Sequence, residues 1–143
     1  MFSKSCEYAL RACIFLSQKQ QEPKKWSIPE IAAAIDSPQP FTAKILQTLA
    51  KQKIVSSTKG PNGGFYISTT NKPVKLATII LAIDGEDVFK RCGLGLGNCN
   101  HHKPCPIHDA YKPISDANKK LFETTYLHDL ATSDSVKRTF LKR

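Results

Sequence analysis

From Ser3 to about Lys19, residues Cys6, Ala9, Leu10, Cys13, Leu16 and Ser17 recur at three- and four-residue spacing. That period predicts a helix with one buried face. Gln18 to Lys25 is polar and contains Pro23, so a loop is expected there. Ser27-Ile28-Pro29-Glu30 carries the marks of a helix start: a Ser to cap, a Pro in the first turn and a Glu at the reciprocal capping position. The helix that follows, Pro29 to Ile35, is short and is broken by Asp36-Ser37-Pro38-Gln39-Pro40. Another is expected from about Pro40 to Lys53. On its wheel Phe41, Ile45, Leu46 and Leu49 share the inner face, and Ala43, Lys44, Gln47 and Lys51 share the outer one.

The period then changes. Ile54 to Thr58 and Phe65 to Thr69 read as short strands joined by Lys59-Gly60-Pro61-Asn62-Gly63-Gly64, whose glycines and Asn suit a tight hairpin. Lys75 to Ile83 predicts a further helix, stopped by Asp84-Gly85. Residues 86–108 have no apolar period and read as a loop. Asp109 to about Leu130 is the longest helical pattern, with a stripe of Ile114, Ala117, Leu121, Thr124 and His128 and with Phe122 and Leu127 beside it. The segment after Thr132 is expected to fray.

The order helix, short helix, sharp turn, helix, hairpin is that of a winged helix-turn-helix. The expected fold is mainly α with a small β-hairpin, extended by one long helix. In such a motif the second helix of the pair enters the major groove. The candidate reading face is Lys44, Gln47 and Lys51, with Ser37 and Gln39 at its entrance. Gln suits adenine edges, and Lys suits guanine edges or phosphates. At the hairpin tip Lys59, Gly60, Asn62 and Gly63 combine a cation with residues that let the backbone approach a phosphate closely.

Charge sharpens this reading. The 143 residues hold 21 Lys and Arg against 12 Asp and Glu, a net +9. Residues 1–75 carry 11 cations and 4 anions, while residues 76–143 carry 10 and 8. The excess therefore sits on the predicted DNA-binding part, as a polyanionic partner requires. The hydrophobic share of 41% argues against disorder. The longest apolar run is far short of a membrane span. The first residues lack the apolar core of a signal peptide, so a cytoplasmic protein with reduced cysteines is expected.

A second chemistry lies in the loop. Cys92 and Cys99 are separated by six residues, Cys99 and Cys105 by five, and His108 follows Cys105 after two more. Thiolates are soft ligands for iron–sulfur clusters or zinc, and the glycines between them let the chain wrap a small object. Three thiolates need a fourth donor; His108, His101 and His102 are at hand. The spacing is not that of a zinc knuckle, so zinc is the alternative. Free thiols are the bland reading. No two-residue Cys spacing of the thiol-oxidoreductase kind is present, and no catalysis is implied. Cys6 and Cys13 read as core, and Glu7 as an ordinary ion pair with Arg11.

Together these features resemble the IscR/NsrR, or Rrf-type, family of bacterial winged-helix transcription regulators. The resemblance is carried by Glu7-Tyr8-Ala9-Leu10-Arg11, Ile28-Pro29-Glu30-Ile31-Ala32, Ala43-Lys44-Ile45-Leu46-Gln47-Thr48-Leu49, the segment Ser57 to Phe65 and the three-cysteine loop. It implies a homodimer on an operator in double-stranded DNA. The implied plan is a DNA-binding domain at 1–84, a cluster loop at 85–108, a dimerisation helix at 109–131 and a tail at 132–143. It also implies an iron–sulfur cluster on Cys92, Cys99 and Cys105. The fourth ligand would be His108, or Glu7 given by the partner subunit, and His ligation favours a two-iron over a four-iron cluster. The implied function is a regulator sensing iron–sulfur status, nitric oxide or redox state. The alternative is a cluster-free or zinc-stabilised regulator that senses through thiols or a small molecule.

Overall fold

The computed structural model describes residues 1–143, apart from the side chain of Ser133. Its elements are α1 (Lys4–Gln18), α2 (Ile28–Ile35), α3 (Gln39–Lys51), β1 (Ser56–Thr58), β2 (Gly64–Tyr66), α4 (Leu76–Asp84), α5 (His108–Thr124) and α6 (Ser133–Arg138). Two 3₁₀ turns, Glu86–Phe89 and Leu127–Leu130, flank the loop and α5.

Capping fixes where the helices begin. Ser3 caps α1 through the Cys6 amide at 3.0 Å. Its own amide donates to Asp84 Oδ2 at 2.8 Å, and its hydroxyl donates to the other carboxylate oxygen. The start of α1 is thus stapled to the end of α4. At α2 the reciprocal box forms as expected, with Ser27 accepting from the Glu30 amide and Glu30 accepting from the Ser27 amide. Asp36 closes α2 in the left-handed conformation, at φ 51°.

The core is Leu16, Ile31, Ile35, Leu46, Leu49 and Ile79, all fully buried, with Ala9 and Cys13 of α1 among them. Burying each such aliphatic side chain contributes roughly 1.5–3 kcal/mol. On α3 the buried stripe is Thr42, Ile45, Leu46 and Leu49, an i, i+3, i+4, i+7 set. Phe41, expected on that face, lies at its edge and is 51% exposed, touching Tyr8 edge-on. Thr42 is buried in its place because its hydroxyl has partners, the Pro38 carbonyl at 3.0 Å and the Ser37 hydroxyl.

The hairpin is shorter than the apolar runs suggest. β1 and β2 pair antiparallel, Ser57 opposite Phe65, and Ile54, Val55 and Ile67 leave the ladder to enter the core. The sheet has an unexpected third member. Trp26 and Phe65 exchange both backbone hydrogen bonds, at 2.9 and 2.8 Å, which ties the α1–α2 connection to the wing.

The long helical pattern also ends early. α5 stops at Thr124 rather than near Leu130. Thr125 accepts from the Leu76 amide, and the Leu127 amide donates to the Val74 carbonyl, so the chain returns beside the start of α4 and buries Leu127. His128 is therefore not on the α5 stripe. The segment after Thr132 forms a short helix in place of the expected frayed tail: Thr132 caps α6, and Leu141 packs on the core. No helix among the described residues is long and apolar enough to cross a membrane.

Candidate DNA interface and cysteine site

The turn between α2 and α3 sets how α3 is presented. Arg11 of α1 holds that turn, its guanidinium donating to the Ile35 carbonyl at 2.7 Å and lying 4.8 Å from the Tyr8 ring centre. This replaces the expected Glu7–Arg11 pair, since Glu7 instead meets Lys4 at 3.0 Å. With its inner face buried, α3 turns Lys44, Gln47 and Lys51 to the outside, and Gln39 stands exposed at its first turn. Ser37 is different. It is half-buried and its hydroxyl is engaged with Thr42, so it shapes the turn.

The wing depends on two glycines for steric reasons. A Cβ on Gly63 would fall 2.1 Å from the Thr58 carbonyl oxygen. One on Gly64 would fall 2.6 Å from the Trp26 carbonyl oxygen, and Gly64 also has φ +151°. The Gly63 amide donates to the Gly60 carbonyl at 2.9 Å, closing the tip with Lys59 and Asn62 exposed. Trp26 is the wing residue that the sequence reading missed. It packs edge-on to Phe15 at 5.0 Å, and Lys24 lies 4.2 Å from its ring centre. A lone Trp directly before a helix cap was the available signal.

The cysteine loop has more order than its composition suggests. Arg91 and Asn98 bridge as an antiparallel pair. The Cys92 amide donates to the Gly97 carbonyl and the Cys99 amide to the Lys90 carbonyl, both at 2.7 Å. Gly95 and Gly97 supply left-handed conformations at φ 74° and 76°. This tight reversal places Cys92 opposite Gly97 and Cys99 opposite Lys90, so the two cysteines sit diagonally across it. The chain then turns at Asn100, whose side chain accepts from the His102 and Lys103 amides. Cys105 lies three residues before the start of α5, and its carbonyl accepts from the His108 amide at 2.9 Å.

Cys92, Cys99, Cys105 and His108 consequently line one cavity of about 160 Å³, together with Leu96, Asn98, Asn100 and Lys103. His108 is buried, and its Nε2 lies 3.0 Å from Nδ1 of His101. Backbone amides of Leu94 and Leu96 aimed at the Cys92 sulfur hold its thiol below the ordinary value. Desolvation, with Cys92 and Cys99 nearby, pushes the Cys105 thiol up. Cys99 donates weakly to the Arg91 carbonyl. Among the described residues, no three His, Cys, Asp or Glu side chains converge closely enough to hold a single metal ion. Neither Glu7 nor His102 lines the cavity. Cys6 and Cys13 are fully buried, as expected for core residues; burial and Asp84 push the Cys6 thiol up to about 12.

Beside this cavity α5 is poorly covered. Phe122 packs on Phe2 at 5.0 Å, but Ile114 and Leu121 are 67% and 56% exposed. A groove of about 440 Å³ runs from Cys92 and Phe89 to Tyr111 and Ile114.

Comparison with known proteins gives a consistent result. The Rrf2 family, described as an iron-dependent transcriptional regulator, matches residues 2–133. The chain is 26% identical over 137 residues to the helix-turn-helix regulator NsrR of Geobacillus kaustophilus, covering 95% of this chain and 92% of that one. Among solved structures it resembles CymR, the global cysteine regulator of B. subtilis, with a TM-score of 0.73 and 22% identity over 92% of this chain and 95% of that one. It also resembles IscR of T. potens, with a TM-score of 0.70 and 16% identity over 97% and 91%.

Proposed function

The chain belongs to the Rrf2 family of DNA-binding transcriptional regulators, and from that premise we propose that it is a homodimeric sensor whose DNA affinity is set by an iron–sulfur cluster held on Cys92, Cys99, Cys105 and His108. The observation that carries this reading is the single cavity lined by three thiols and a buried imidazole. The donor set fits the group. Sulfur and imidazole are the ligands of two-iron clusters that mix the two. When bound, such a cluster supplies a centre that oxidants, nitric oxide or iron scarcity alter.

The chain's own residues would do the rest. The amides at Leu94 and Leu96 favour a thiolate at Cys92. His101 orients His108 from outside the cavity, as outer partners of ligating imidazoles do. The loop leaves α4 through Phe89, which packs against Phe2 and Phe122. Phe2 adjoins Ser3, the residue stapled to Asp84. A change in the loop thus bears on the start of α1 and on α5 together, and a second copy would cover the exposed Ile114 and Leu121. Lys44, Gln47, Lys51 and Gln39 would face the major groove. Lys59, Gly60, Asn62 and Gly63 would meet the backbone or minor groove. Ligand and DNA would be coupled only as far as the cluster favours one arrangement of the two recognition helices. Glu7 of the partner subunit is the rival fourth ligand, and its exposure leaves it available.

The test is duplex selection from a random pool under anaerobic conditions, followed by affinity measurements. Cys92→Ser, Cys99→Ser and Cys105→Ser should each change affinity for the selected site at least roughly tenfold, about 1.4 kcal/mol. Wild-type affinity in all three, with and without oxidant, would refute the sensor.

A further inference from the structure

We propose that residues 137–143 form a second, sequence-independent phosphate-binding surface beside the helix-turn-helix. The proposal rests on the reading that this motif binds duplex DNA. The segment Lys137-Arg138-Thr139-Phe140-Leu141-Lys142-Arg143 holds four cations and no carboxylate. It lies beyond the 2–133 span matched by the family. An ordinary charged run is loose and solvated, but this one is fixed at both ends. Thr132 caps α6 through the Ser135 amide, and Thr139 bonds the Ser135 carbonyl at 2.6 Å. Leu141, half-buried, packs against the main core, and Lys142 Nζ donates to the Ala33 carbonyl at 3.1 Å.

That last contact gives the segment its place. Ala33 is in the last turn of α2, just before the Asp36–Pro38 turn that leads to Gln39. The first helix of a helix-turn-helix crosses the DNA backbone. Lys142 satisfies one of the carbonyls that a helix end leaves unbonded. This contact brings the segment that carries Lys137, Arg138 and Arg143 to the end of α2, and none of the three forms an ion pair among the described residues. Asp134 in the first turn of α6 offsets only one of the segment's four cations, and cations next to a DNA-binding motif have phosphate as their natural counter-charge. The surface would add affinity without base preference.

The full-length protein should be titrated against a mixed-sequence duplex of about 30 base pairs over a range of KCl, a length that spans both halves of a dimer. The variant is Lys137→Gln with Arg138→Gln and Arg143→Gln, which keeps the anchors Leu141 and Lys142. Each lost phosphate contact removes about 0.9 from the salt slope. With three cations removed from each chain of a dimer, the triple variant should have a slope shallower by about 3 to 5 and at least roughly tenfold weaker binding at low salt, converging with wild type at high salt. Lys44→Gln with Lys59→Gln is measured in parallel. If that pair flattens the slope while the triple variant leaves it unchanged, the surface is refuted and the winged-helix reading stands. If neither moves it, both fall. Weaker binding at an unchanged slope would mark a structural effect and refute the surface. So would loss of binding to anionic phosphatidylserine vesicles with an unaltered DNA slope.

Discussion

The winged-helix region, residues 1–84, and the α5 region, residues 85–143, are finished to different degrees. In the first, α1 to α4 close around Leu16, Ile31, Leu46, Leu49 and Ile79, and the starts of α1 and α2 are capped by Ser3 and Ser27. In the second, α5 buries a single residue fully, His108, and leaves Ile114 and Leu121 in the open. A further apolar pair, Leu94 and Leu96, is exposed at the cysteine loop. The first half buries its own apolar residues, whereas the second leaves Leu94, Leu96, Ile114 and Leu121 exposed, the surface that a second copy would cover under the proposed reading. In the proposed sensor, the first part would keep its shape while the second responds.

The contrast can be broken from either side. The largest effect should come from the closed half. Leu46→Ala removes a fully buried side chain and should cost roughly 2–5 kcal/mol, read as a lower denaturation midpoint. A loss below ~1 kcal/mol would mean that this core is looser than its burial implies. Ile114→Asp with Leu121→Asp should leave the monomer's unfolding nearly unchanged and weaken self-association at least roughly tenfold by sedimentation, about 1.4 kcal/mol. An unfolded double variant would show instead that this face belongs to the monomer. Ser27→Ala should cost about 1 kcal/mol, because the Glu30 amide loses its cap. The smallest effect is a pH dependence. The Lys24 ammonium, then the Ser27 amide, hold the Glu30 carboxyl down from 4.5 to about 2. The folded form binds its proton less readily than the unfolded form does. The contribution is therefore complete above pH 4.5 and drains away as pH falls toward 2. It is small, because both side chains are exposed. The difference in thermal midpoint between wild type and Glu30→Gln should shrink over that range; a constant difference would exclude the linkage.

Most of the closed half was legible in the sequence because its signals are local. Periodicity located α1 to α4, and the Ser27-x-x-Glu30 pattern located a cap that forms as expected. What escaped depends on contacts distant in sequence. Nothing near Asp84 announces that it will hold Ser3, and nothing near Trp26 announces its pairing with Phe65. The apolar period of α5 runs on through Leu127, but backbone bonds to Val74 and Leu76 end the helix at Thr124. In the cysteine loop the donor types were readable and the Arg91–Asn98 reversal was not, since it rests on glycine conformations and amide bonds. The anchored segment after Thr132 was missed because Leu141 reaches its core partners only in three dimensions.

The central claim is that Cys92, Cys99 and Cys105 hold an iron–sulfur cluster, and one measurement meets it directly. The protein is purified without oxygen, and its visible absorption is recorded with iron, zinc and acid-labile sulfide per chain. The account predicts broad visible bands and about equal iron and sulfide, both lost in Cys99→Ser. A colourless protein with zinc, or with no metal at all, would contradict it and leave the winged helix as a DNA-binding module whose loop does other work.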